Sequence, residues 1–338
     1  MKLINHFPPL PLEIVMLILE EVARVSHGGA YSVSLVSKWA YQLALPHLYA
    51  TIVHHLTLSF PVSLSSGARQ PLRRRSSRLF PTRYAHLVRN LWTECANMPG
   101  ASPEEELIRL APYFESVALL SSSLRTLSIA LKDTGYAPWR KVDIPILCSL
   151  RSITIISHTF RYDWSPLMEA RLSNGSQLLH NITHLRILDM KVSAFCPHEL
   201  LPNLTHLALP FLDLGNNFEQ RLIRLPDGVL QHPKLQMLVL TMDEARWLNN
   251  PSYLNVMSPG EILTSPSQTF RTLVDLARKR DDRLYIILSP RRNVQAWQEW
   301  AAAARGHEPS IWEAAKEARA RDSHGDGLPN SLPQAAFR

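Results

Sequence analysis

Apolar residues near the start of the chain recur at helical spacing. Val15, Ile18, Leu19 and Val22 stand at i, i+3, i+4 and i+7, the period of one helix face, and Ile14 and Leu17 broaden it. The spacing predicts a helix from about Pro11, a residue suited to a first turn because its missing N–H needs no partner there, to Arg24. His27-Gly28-Gly29 should end it, since glycine readily takes the left-handed conformation that follows a helix. A second helix is predicted from Ser32 to Ala44, with Val36, Trp39, Ala40 and Leu43 on one side and Pro46 closing it. About forty residues cannot bury faces this broad by themselves, so the unit must dock on the next domain or on a second protein.

Behind it the pattern changes to short apolar strands. Thr51 to Phe60 is rich in β-branched residues and predicts a first strand. A shared spacing then recurs: Leu124-x-x-Leu127-x-Ile129, Leu150-x-x-Ile153-x-Ile155, Leu185-x-x-Leu188-x-Met190, Leu204-x-x-Leu207-x-Leu209 and Leu235-x-x-Leu238-x-Leu240. Val88-x-x-Leu91 is a weaker member at the front, and Leu284 to Leu288 another at the back. Strands of this kind turn alternate apolar residues inward and stack in parallel, each burying what its neighbour would expose. The first leucines of the last two members, preceded by Pro202 and Pro233, lie 31 residues apart, whereas the earlier steps are 26, 35 and 19 residues. Helices fit between the strands, one opening at Ser102 and one over Ser267 to Arg280 with Phe270, Leu273, Val274 and Ala277 on one side. Two Ala-rich helices over 293–321 place Trp297, Trp300 and Ala304 on one face and Trp312 and Ala315 on another. They are expected to cap the open end of the strand stack.

The front of the chain resembles a known family. Leu10-Pro11-x-Glu13-Ile14, Ile18-Leu19, Leu35-Val36-Ser37-Lys38 and Leu43-Ala44 are similar to the F-box motif, and Leu45-Pro46-His47-Leu48-Tyr49 resembles the form found in F-box proteins of mushroom-forming fungi. The family usually has an aromatic residue two positions after Lys38. Here that residue is Ala40, and Trp39 stands one place early. The strand spacing resembles a degenerate leucine-rich repeat, without the Asn or Cys that regular repeats place eight residues after the first leucine. Together the resemblances imply an α/β chain: an F-box over residues 8–50, an irregular leucine-rich-repeat-like solenoid over 84–290 and a helical cap over 293–321, while the tail over 322–338, Gly, Pro and Ser with little to bury, reads as disordered.

The implied function is that of a non-enzymatic substrate receptor. In the F-box family this unit docks on the S-phase kinase-associated adaptor of an SCF-type cullin-RING ubiquitin ligase, and the repeat domain holds a protein substrate near the ubiquitin-loaded enzyme. The resemblance assigns adaptor contact to Leu10, Pro11, Ile14, Ile18, Val36 and Trp39. Two other readings stay open: a stand-alone interaction protein whose F-box-like helices only cap the solenoid, and an enzyme of an unrecognised class.

Composition narrows the setting. With 46% hydrophobic and 19% charged residues in 338, the chain is globular and long enough for one small and one larger domain. No stretch approaches the roughly 18 consecutive apolar residues of a membrane span. Prolines interrupt the first residues where a secretory leader needs its apolar run. Cys95, Cys148 and Cys196 are scattered, which points to a reducing compartment, cytoplasm or nucleus, and makes the sequons at Asn174, Asn181 and Asn203 chance matches. Part of the net charge of +7 comes from the linker over 61–83, where Arg69, Arg73, Arg74, Arg75, Arg78 and Arg83 occur with no acid. That segment reads as a solvated loop or, alternatively, as a phosphate-binding or nuclear-import patch. No interleaved aromatics or nucleic-acid fold accompany it, so nucleic acid is not an expected partner.

The sequence carries no phosphate-cradling glycine loop, His-Glu-x-x-His, Cys-x-x-Cys or Gly-x-Ser-x-Gly, so neither cofactor nor catalytic residue is expected. His54 and His55 are neighbours on a strand and point apart, and His180 and His184 read as loop rather than as a helical metal pair. Aromatic clusters around Trp139, Trp164 and Trp247 follow strand candidates and suit either a recognition surface or the core.

Overall fold

The computed structural model describes residues 10–56, 82–95, 123–130, 149–156, 164, 168, 177–188, 196–211, 223, 225–244, 266–289 and 296–323. Three helices open the chain: α1 (Leu12–Val25), α2 (His27–Ser34) and α3 (Lys38–Tyr49). Two were expected. Gly28 and Gly29 lie inside α2 instead of ending α1, because Ser26 breaks the chain one step earlier: its backbone is extended and its hydroxyl accepts the Gly29 N–H at 2.8 Å. Gly29 is needed for another reason. A Cβ there would overlap the Val22 carbonyl oxygen, so its absence lets α1 and α2 approach closely. Pro46 does not close α3 either; the helix runs past it to Tyr49, and the Pro46 carbonyl accepts the Ala50 N–H at 3.0 Å.

Among the described residues eight strands follow, all in one parallel sheet whose spatial order is the order of the chain. They are β1 (Thr51–Leu56), β2 (Asn90–Cys95), β3 (Thr126–Ala130), β4 (Ser152–Ile156), β5 (His184–Ile187), β6 (His206–Pro210), β7 (Met237–Asp243) and β8 (Leu284–Ser289). Successive strands begin alike. One carbonyl before each strand accepts two N–H groups from the start of the next: Ala50 from Arg89 and Asn90, Arg89 from Arg125 and Thr126, Arg125 from Arg151 and Ser152, and so on through Thr205.

The first face of the sheet holds the core. Ile52, Leu91, Leu127, Ile153, Leu185, Leu207, Leu238 and Leu284 stand in register across all eight strands. From Leu91 onward each is buried, as are the leucines three residues before several of them: Leu124, Leu150, Leu204 and Leu235. Each such side chain contributes roughly 1.5–3 kcal/mol relative to an exposed one. The helix α4 (Pro266–Arg280) lays Phe270, Leu273 and Ala277 on this core beside β8, as its spacing predicted. One frame differs from the expected spacing. Leu185 pairs with Ile153 and not with Leu150, so the repeat at β5 is Ile182-x-x-Leu185-x-Ile187 and the steps around it are 32 and 22 residues. Leu188 is buried too, but on the opposite face. A strand covered on both faces therefore offers two frames to a spacing search.

The second face is covered by the last two helices, α5 (Ala296–Ala304) and α6 (Ile311–Ser323). Ala296, Trp297 and Trp300 pack with Val53, Trp92, Ile156 and Leu188. Ile311, Trp312 and Ala315 pack with Ala208, Met237, Val239, Tyr285 and Ile287. These helices were expected to cap the end of the strand stack, yet α5 lies over β1, β2, β4 and β5, far from the strand it follows. Their apolar faces were predicted correctly, and α6 does pack on the last strands; only the surface that α5 covers differs from the expected one.

Candidate functional site

The helical unit has an interior of small residues. Ala23, Ala30, Val33, Ala40 and Ala44 form its core, α3 is capped by the Ser37 hydroxyl on Ala40 N at 3.2 Å, and the short side chains let three helices pack closely. Large apolar residues are left outside. Leu10 is 59% exposed, Ile14 42%, Ile18 49%, Val36 61% and Trp39 41%, and Pro11 is exposed as well. These are the six residues to which the motif assigns adaptor contact. Leu17, Val22 and Leu35 add to the same apolar exposure. Ala40 is fully buried in the core of the unit, and Trp39 is exposed.

The unit is fixed to the sheet on its other side. Tyr84, in the turn Thr82–Leu87, stacks on Tyr49 at 4.7 Å, and its hydroxyl lies 2.7 Å from that of Tyr41. That hydrogen bond, with burial second, raises the Tyr84 phenol above its usual range. Arg83 sits over the same ring at 4.5 Å. Attachment through α3 thus leaves α1 free of the sheet.

Beneath α5 and α6 the sheet face is partly polar. One row runs Thr51, Asn90, Thr126, Ser152, His184, His206; another runs Val53, Trp92, Ser128, Thr154, Arg186, Ala208. Asn90 Nδ2 donates to Thr51 Oγ1 at 3.1 Å, and Thr126 Oγ1 donates to Asn90 Oδ1 at 2.8 Å. His184 and His206 stack at 4.3 Å with Trp312 edge-on to both. Thr183 Oγ1 and Thr205 Oγ1 lie 2.8 Å from the respective Nδ1 atoms. Burial lowers both imidazoles, His206 to about 4, helped by the charge of Lys316 on α6. At the end of α6, Arg319 lies 3.4 Å above the centre of the Tyr285 ring and donates to the carbonyls of Asp282 and Leu284.

The strongest polar contact on this face is the ion pair of Arg186 with Glu299 of α5, bidentate at 2.9 and 3.2 Å and largely withdrawn from water. Losing one partner of a buried pair costs roughly 3–5 kcal/mol because the other charge is stranded. Beside it Trp300 meets Trp92 at 5.5 Å. Three buried polar atoms here have no hydrogen-bond partner: Trp92 Nε1, Ser128 Oγ and Arg186 Nε.

The chain has no match among protein-family models, curated proteins or solved structures.

Motif reading located the exposed apolar residues of the helical unit but missed Arg186, Glu299, His206 and Tyr84. Arg186 had a signal in hindsight, being a charged residue amid the apolar run Leu185 to Leu188. Glu299 had none, since a glutamate between two tryptophans on a helix reads as solvent-facing. His184 meets His206 and not His180, which lies exposed in the turn Leu178–Asn181. Trp164 is buried in the core. Trp139, Trp247, the helix expected at Ser102, the linker over 61–81, Cys148 and the tail beyond 323 lie outside the described residues, as do the side chains of His54, His55 and Cys95. Among the described residues no group of three or more metal-ligating side chains occurs, and no helix is long and apolar enough to cross a membrane.

Proposed function

We propose that this chain is the substrate receptor of an SCF-type cullin-RING ubiquitin ligase. Its N-terminal unit docks on the S-phase kinase-associated adaptor, and through it on the cullin scaffold, by means of Leu10, Pro11, Ile14, Ile18, Val36 and Trp39. The sheet domain, in this reading an irregular leucine-rich-repeat-like solenoid, presents a protein substrate, while ubiquitin transfer belongs to other subunits. The observation that carries the reading is the exposure of α1. A unit serving only as a cap would bury its apolar faces on the sheet, whereas here α3 makes the attachment and the face of α1 is left to solvent. The in-order parallel sheet supports the solenoid.

The test is co-purification with the adaptor followed by size exclusion. The wild type should form a stoichiometric complex. Pro11→Ala with Ile14→Asp should lose it, because an aspartate would have to be buried unpaired in an apolar contact. Both side chains are exposed in the free chain, so the fold should be kept. A double variant that still co-purifies removes these residues from the interface.

A further inference from the structure

The second face of the sheet has the chemistry of a recognition surface, yet the chain covers it with its own helices. Its central row, Trp92, Ser128, Thr154 and Arg186, combines an aromatic platform, two hydroxyls and a guanidinium on four adjacent strands, about 14 Å across at the usual strand spacing. All four residues are at least nine-tenths buried. The cover fits them incompletely. Glu299 satisfies only Nη1 and Nη2 of Arg186, while Arg186 Nε, Ser128 Oγ and Trp92 Nε1 find no acceptor under α5. Native interiors leave few polar atoms in this state, and each one calls for an explanation. A face shaped for α5 alone would carry apolar groups there. A ligand with more acceptors along the row would satisfy the atoms that α5 strands.

We propose that this face is a peptide-binding site closed by the chain's own C-terminal helices, in which Glu299 and Trp300 stand in for an acidic residue and its aromatic neighbour on the partner. The partner's carboxylate takes the Arg186 fork, its aromatic ring takes Trp92, and its backbone carbonyls meet the Ser128 hydroxyl and the Trp92 indole N–H. The charge on hand selects an acidic segment: Arg186 is the cation of the row, and Glu299 is the acid paired to it. Opening requires release of α5, whose nine residues are too few to hold as a helix in isolation. Calling the partner a ubiquitylation substrate rests on the receptor reading above; the binding site itself does not.

The test uses the full chain and three fluorescently labelled peptides, with no adaptor present. One peptide copies residues 294–305, one copies them with lysine in place of the glutamate, and one is a Gly-Ser host carrying a single Glu-Trp pair. The opened chain is Glu299→Lys with Trp300→Ala. It should bind the first peptide at least tenfold more tightly than the wild type, reject the lysine peptide, release its ligand to the Glu-Trp host, and lose the gain when Arg186→Gln is added. Hydrogen exchange on the same samples should show protection retained over β4, β5 and β6. Loss of that protection would mean that α5 is an integral layer of the fold, and the proposal fails. It fails equally if the folded, opened chain takes no peptide, or takes only its own sequence and ignores the host, which is fragment complementation. Adaptor binding is measured separately, so either reading can fall while the other stands.

Discussion

Two adjacent glycines in α2 should respond to the same substitution with opposite sign. At Gly28 nothing lies within 4 Å of an added Cβ, so Gly28→Ala gains the helix propensity of alanine and less freedom in the unfolded chain, together about 0.5–1 kcal/mol. At Gly29 the same methyl group overlaps the Val22 carbonyl oxygen, with the Val22 carbonyl carbon 3.2 Å away and Ser26 Oγ 3.0 Å away. The first obstacle is α1 backbone and cannot rotate aside. Relief requires α1 and α2 to move apart around the core of Ala23, Ala30 and Val33, and overpacking of this kind costs ~1–3 kcal/mol or more. After subtracting the propensity gain, Gly29→Ala should destabilise the unit by about 1–2 kcal/mol. The assay is amide hydrogen exchange over residues 12–49 in the full chain, which reads local opening without assuming that the whole molecule unfolds at once. Exchange should quicken roughly 5- to 30-fold for Gly29→Ala and slow for Gly28→Ala, since each 1.4 kcal/mol is tenfold. If Gly29→Ala exchanges as slowly as Gly28→Ala, the close approach of α1 and α2 is not what the glycine provides.

Three further outcomes are expected. Ala40→Phe should destabilise the helical unit by about 1–3 kcal/mol in the same exchange assay, because Ala40 is fully buried in a core with Ala23, Ala30, Val33 and Ala44, which a ring would overpack. His206, held near 4 by burial and by the neighbouring His184 and Lys316, binds protons more readily unfolded than folded; its stabilising contribution is complete above about pH 6.5 and is lost as pH falls toward 4. The full shift would be worth about 3.4 kcal/mol, and with the ring partly exposed to solvent we expect ~1–2 kcal/mol; urea midpoints between pH 7 and 4 should therefore fall less for His206→Gln than for the wild type. The Cys196 thiol, pushed up to about 12 by burial, should resist alkylation at pH 8 until the chain is denatured, as read by peptide-mapped mass spectrometry.

Much of this architecture was legible because the physics behind it is local. The frames at Leu204 and Leu235 were right because a proline two residues upstream marks the turn before each strand, and the faces of α1, α4, α5 and α6 followed from helical periodicity. The frame at β5 was missed because Leu185 and Leu188 are both buried, on opposite sides of one sheet. Gly28-Gly29 was misread because the sequence shows what glycine permits locally but not that a second helix lies against it. In the helical unit, the six residues named by the motif are exposed, as are Leu12, Leu17 and Leu35, and only packing explains this: the core closes on Ala23, Ala30, Val33, Ala40 and Ala44 with Leu19, Leu43 and Leu48 against it.

A small helical unit followed by parallel strands could be read from the residue order, since both rest on periodicity and turn chemistry within short windows. Tertiary structure alone decided which surface each apolar face meets. That α5 crosses the sheet to reach β1 and β2, that Glu299 finds Arg186 113 residues away in the chain, and that Tyr84 ties the helical unit to the sheet are outcomes of three-dimensional packing. An amphipathic face records only that it needs a partner, and burial is non-directional.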